Sequence, residues 1–367
     1  IAGLVIGSLV MILILYGGKS WWDAWAAGYQ NRLYKPFEAE SKLIKKNSEN
    51  YFQLHLDPSK ITVGPTSRKI SYIIPDHGKL MHTFLIREGT LDAFAHLHPK
   101  RIDTLTFESK LPPLPPGNYF VFSDITRFSG FSETIVSKLE IPEENMSVTF
   151  ASWTASADRD DTYAITNPIS DDKPILLDAD LLICGKPGMK TELPGGYTAV
   201  WESDGQAFKT NKLYALNFAL FNPDGESAVL EPYLGMMGHA VVLRSDGSVY
   251  IHLHPVGNYS MASQQILKER FDSGKSGWEG LPIGYSFADS IDQVISWMDK
   301  LPDASRDSIL MGDMIHTPVA IDDPEHDEHS MVRFPYVFPK AGDYRVWLQV
   351  KIDGKIVNGA FDVSVKE

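Results

Sequence analysis

Two stretches decide the fold: MHTFLIREGTLDAFAHLHP at 81–99 and GHAVVLRSDGSVYIHLHP at 238–255. Each begins with a histidine strand, breaks at a Gly-containing turn and ends in HLHP. The near-alternation of apolar and other side chains has the period-two pattern of a strand, so each stretch reads as a β-hairpin. Each is also followed by a related unit, LPPGNYFVFSDI (114–125) in the first copy and FPKAGDYRVWLQV (338–350) in the second. The order is the same in both, which marks an internal duplication. From His98 to Tyr119 is 21 residues and from His254 to Tyr344 is 90, so the second copy carries 69 more.

Outward from the hairpins, runs such as KISYII, KLYALNFALF and YRVWLQVKI are broken by Pro, Gly, Asn and Asp, with little helical periodicity before residue 260. That is the pattern of antiparallel sandwiches. The expected fold is mainly β, with two tandem sandwiches at 51–150 and 175–367, a polar linker at 151–174, and an insertion at about 256–331. Within the insertion, SMASQQILKERF and SFADSIDQVISWMDKL have amphipathic helix spacing. Tyr119 and Tyr344 follow Pro/Gly turns and read as tyrosine corners, a structural role.

The hairpins also arrange the histidines. A two-residue type I′ turn at Asp246-Gly247 pairs residues whose numbers sum to 493, setting His239 opposite His254 and Val241 opposite His252. Side chains alternate with period two, so His239, His252 and His254 share one face. In the first copy a turn centred on Thr90 sets His82 opposite His98, with His96 diagonal on the same face. Three imidazoles suit copper or zinc. Met237 is two residues from His239 and is a further candidate ligand on that face. Met81, adjacent to His82, points to the other face. The competing reading is that these histidines bond backbone carbonyls and one another, pinning loops without a metal.

Composition narrows the rest. The 367 residues include 34 basic and 47 acidic side chains, a formal charge of −13, which argues against nucleic-acid binding. The lone cysteine, Cys184, excludes a disulfide framework or a cysteine-rich metal cluster within the chain. Residues 1–18, IAGLVIGSLVMILILYGG, carry no charged side chain and read as a transmembrane helix contacting the lipid bilayer. Trp21, Trp22, Trp25 and Tyr29 follow as an interfacial belt, and residues 19–50 as an interfacial segment and polar helical stalk. A cleaved signal peptide is the alternative. No HExxH, GxSxG, phosphate-binding or dinucleotide-binding signature is present. MGDMIH (311–316) and DDPEHDEHSM (322–331), with His316, His326 and His329, read chiefly as solvated loop.

MGHAVVLRSDGSVYIHLHP with FPKAGDYRVWLQVKIDG resembles bacterial envelope β-sandwich domains of the YtkA-like/FixH type. The resemblance covers about 45 residues closely in the second copy and the first copy more loosely. It implies an immunoglobulin/cupredoxin-like, extracytoplasmic fold, and points to copper-handling or heavy-metal surroundings. Blue-copper electron transfer is disfavoured because that site needs a cysteine thiolate, and Cys184 lies far from the histidines.

Two functional expectations follow. The leading one is a non-catalytic accessory subunit, anchored in the bacterial inner membrane by a single pass. It would dock its periplasmic sandwiches on integral-membrane or periplasmic subunits of a larger complex, respiratory or photosynthetic electron transfer being examples. The other is a periplasmic copper- or zinc-binding protein using His239, His252 and His254, with His82, His96 and His98 as a related set.

Overall fold

In the computed structural model the described residues are 1–30, 36–47, 49–58, 72–147, 149–169, 178–183, 186–202, 207–275, 284–312 and 330–367. The chain begins with α1 (Ala2–Gln30), whose apolar part is long enough to cross a membrane. None of that part is buried. An apolar stretch that packs on nothing among the described residues needs another apolar medium, and a membrane anchor and a signal sequence both satisfy that. The helix passes through the tryptophans, with Trp21 and Trp25 6.2 Å apart and Lys19 paired to Asp23 one turn on.

The first unit comprises β1 (Ala39–Lys46), β2 (Glu49–Leu56), β3 (Ile73–Ile74), β4 (His82–Arg87), β5 (Ala93–Leu97), β6 (Lys100–Arg101), β7 (Thr106–Lys110), β8 (Gly117–Arg127), β9 (Ser132–Ile141), α2 (Phe150–Thr154) and β10 (Thr162–Ile165). The second comprises β11 (Asp178–Ile183), β12 (Lys186–Glu192), β13 (Thr198–Glu202), β14 (Phe208–Lys209), β15 (Leu213–Phe221), β16 (His239–Arg244), β17 (Tyr250–Leu253), α3 (Met261–Ser273), α4 (Gly284–Met298), α5 (Asp303–Gly312), β18 (Met331–Val337), β19 (Gly342–Ile352) and β20 (Lys355–Lys366). Two sequence boundaries move. Residues 39–46, expected in a helical stalk, form β1, because AESKLIKK pairs along its whole length with ENYFQLHL. The linker expected at 151–174 donates β10 to the first unit, with Thr162 opposite His96. The helices expected in the insertion are present as α3 and α4.

Four sheets are stacked. β1-β2-β7-β6 faces β10-β5-β4-β8, which also carries β3 and β9, and their shared core includes Phe52, Leu54, Leu85, Leu97, Phe107 and Val121. β11-β12-β13-β15-β18 faces β14-β20-β19-β16-β17 over Trp201, Phe218, Phe334, Val242 and Leu348. Strand alternation gives the two inner sheets a second face each, and these faces meet. Phe84, Ile86, Phe94 and Phe122 pack there on Val241, Leu243 and Trp347, fully or almost fully buried. The contact is reciprocal. Phe122 of the first copy stacks on Tyr250 at 4.1 Å, and the equivalent Trp347 stacks on Phe94 at 4.7 Å. Each copy therefore uses the same patch against the other, the pattern of an isologous dimer built within one chain.

Both hairpin registers sum as expected: Val241 pairs with His252, and Phe84 with His96. The second turn differs in type. Only Gly247 adopts a positive φ (+74°), whereas Asp246 does not, as type I′ requires. Instead the Gly247 amide donates to Arg244, and Arg244 to Val249, closing a wider loop. Tyr119 and Tyr344 do pin their loops: each hydroxyl donates at 2.6 Å to a carbonyl four residues back, Pro115 and Lys340.

Candidate metal centre

The interlayer face that holds the aromatic contacts ends in the histidines. His239 begins β16, His252 lies in β17 and His254 just beyond it, all on the side facing the first unit. His82 begins β4, His96 lies in β5 and His98 follows it, facing the second. Stacking the two sheets brings both trios together. Within the second, ring centroids are 5.3, 5.3 and 4.6 Å apart. Within the first they are 5.3, 5.0 and 4.4 Å apart. Across the units His252 lies 5.5 Å from His82 and 5.6 Å from His96. In each trio, one ring nitrogen per residue lies within 4.8 Å of the others. Nitrogens sharing one ion at about 2.0–2.1 Å stand roughly 3.4 Å apart in a tetrahedron, so closing on an ion needs only small side-chain shifts.

Bonding separates the trios. Both nitrogens of His239, and Nε2 of His252 and of His254, are buried with no hydrogen-bond partner. The far nitrogens of the latter two are oriented: His254 Nδ1 lies 3.2 Å from the Tyr259 carbonyl, and His252 Nδ1 3.6 Å from the Asp124 carboxylate. An outer carbonyl or carboxylate behind a free inward nitrogen is the arrangement of metal-ligating histidines. In the first trio His82 Nδ1 is 3.1 Å from His96 Nε2, while His98 Nδ1 meets Asp161 Oδ1 at 2.9 Å and leaves Nε2 unpartnered. His96 Nδ1 is 3.1 Å from Gln349 Oε1 and 3.2 Å from the Tyr233 hydroxyl, both of the second unit. Asp124 and Gln349 occupy equivalent positions opposite His82 and His239. Each reaches the middle histidine of the other copy's trio.

Burial sets the electrostatics. Desolvation first, and neighbouring imidazoles next, hold His82, His96, His239 and His254 well below the ordinary histidine pKa. His77 is lowered chiefly by burial. These rings are neutral at pH 7 and keep a lone pair. Burial raises Asp161 despite its bond to His98. Beside it, burial alone would raise Asp160, but Lys79 and Arg306 outweigh that and hold it low. The Lys79 ammonium sits 2.6 Å from Asp158 and 2.8 Å from Asp160, and Arg306 of α5 bonds Asp160 at 2.5 Å. The insertion thereby fastens the first unit's 158–161 segment beneath the centre.

All six hairpin histidines lie in this centre. Met237 packs against the apolar core of the second unit, and Met81 is buried in that of the first. Cys184, His316, His326 and His329 lie outside the described residues. Sequence reading missed His77, whose ring is 4.6 Å from His254 and 5.9 Å from His239. It sits with Gly78 at positive φ in the tight turn bridged by Asp76 and Lys79. The second copy repeats that turn with Leu234 and Gly235, bridged by Tyr233 and Met236. PDHGKLMH (75–82) and PYLGMMGH (232–239) share only Pro, Gly and His, which hid the extension of the repeat.

Residues 191–274 match a family described as a domain of unknown function, DUF8832. The match takes in the second histidine hairpin and α3. No curated protein matches the chain.

Proposed function

We propose that this is a membrane-anchored metal-binding protein, with α1 as the anchor and copper or zinc held between the duplicated hairpins at an extracytoplasmic surface. The observation that carries it is the second trio: three buried imidazoles with unpartnered inward nitrogens. Leaving such groups unbonded costs about 1–3 kcal/mol each, which a pinning role does not recover and an ion does. The first trio, a few ångströms away, supplies a second set of donors to the same centre. The six-imidazole interface suits a mainly β, immunoglobulin/cupredoxin-like pair of domains.

The test is metal content and titration of the detergent-solubilised protein. The wild type is expected to hold or titrate copper or zinc, and His252→Ala/His254→Ala to lose at least about tenfold in affinity. A wild type that neither carries nor titrates either metal sinks the reading. A second reading, a docking subunit, draws on the insertion, where Phe271 (88%), Tyr285 (73%) and Trp297 (53%) are exposed on α3 and α4. Co-migration with a membrane complex after mild solubilisation supports it; migration alone counts against it.

A further inference from the structure

A cavity of about 240 Å³ opens beside the centre. His82, His252 and His254, all buried, line it, so it reaches imidazoles of both copies. The last two are more than nine-tenths buried, with Nε2 unpartnered. Asp76 and Asp124 lie along the wall, and among the described residues no lysine or arginine lines it. Ser132 and Asn258, both exposed, also border it. His96, His98 and His239, which do not line it, are at most 2% exposed.

Asp124 is held in place as well as charged. Its two oxygens accept from Thr134 Oγ1 at 2.5 Å and from the Tyr250 hydroxyl at 2.8 Å. The oxygen that Tyr250 holds is the one 3.6 Å from His252 Nδ1. The Asp76 carboxylate likewise accepts from the Ala262 amide at 3.1 Å, and among the described residues no lysine or arginine side chain pairs with it. Carboxylates on a cavity wall without cationic side chains concentrate cations and repel anions. Oxygen donors outside and imidazoles inside form a gradient from hard to borderline ligands.

We propose that this cavity is the path by which a metal cation reaches and leaves the centre, with Asp124 as the outer relay and the ion as exchangeable cargo. The inference rests on the metal-binding reading, and its test separates the two. The full chain in detergent is mixed with zinc(II) alone, or with copper(I) alone under reducing conditions where zinc does not bind, and binding and release to a chelator are followed by stopped flow. Ser132→Trp and Asn258→Trp fill the two exposed borders without touching an imidazole; Asp124→Asn removes the relay charge. Both tryptophan variants are expected to reach the wild-type stoichiometry and Kd, with uptake and release slowed together. Asp124→Asn is expected to take up zinc about tenfold more slowly and with a weaker salt dependence. Wild-type exchange rates in folded tryptophan variants overturn the path. Failure of the wild type to bind zinc or copper overturns the centre itself.

Discussion

His239 is fully buried, and neither ring nitrogen has a partner. Its hairpin position was legible in the sequence, because turn register and period two set it opposite His254. Its neutrality was not, because that comes from the sheet laid over it. The consequence is a sign that can be measured. In the unfolded chain a histidine titrates at about 6.5, whereas His82, His96, His239 and His254 in the folded chain titrate well below that. Between those values the unfolded state binds protons that the folded state refuses, so stability falls as pH falls. Each residue contributes up to about 1.4 kcal/mol per pH unit once below the unfolded pKa. Metal-free protein is therefore expected to melt at a nearly constant temperature above pH 7 and at sharply lower temperature from pH 6.5 to 5. His239→Gln should make that slope shallower; an unchanged slope would show that burial does not hold the ring neutral.

At the scale of the element, each repeat is a hairpin followed by a tyrosine-pinned strand. The hydroxyl bonds of Tyr119 and Tyr344 were anticipated from LPPGNY and KAGDY, since Pro and Gly turn the chain just before the tyrosine. The turn at 245–248 was anticipated in register but not in type. A single left-handed residue, Gly247, closes it, and the tip lies against Phe120 of the first unit, a contact no local rule contains. β1 was missed because LIKK looks like a solvated helix until β2 offers it an edge. Tyr119→Phe and Tyr344→Phe should each cost about 1 kcal/mol in denaturant melts. Lying in separate units, they should add in the double variant, and metal stoichiometry should stay constant. Metal loss from either variant would mean that the corners shape the centre.

For the whole molecule, the contact between the inner sheets matters most. Trp347 is buried there against Phe94, whereas Trp201 is buried in the second unit's own core. Alanine at either is expected to cost about 3–5 kcal/mol. Only Trp347→Ala, assayed while still folded, should also weaken metal binding, because it loosens the face that brings the trios together. Equal metal affinities in the two variants would detach the centre from that face. The sequence by itself determined the duplication, the hairpin registers, the apolar first helix and the membership of each trio, because these depend on period-two alternation and nearby turns. The tertiary structure decided that the trios face one another, that Asp124, Asp161, Tyr233 and Gln349 stand behind them, and that His77 joins them. Those relations cross between sheets far apart in the chain, where burial and packing rather than local periodicity choose the neighbours.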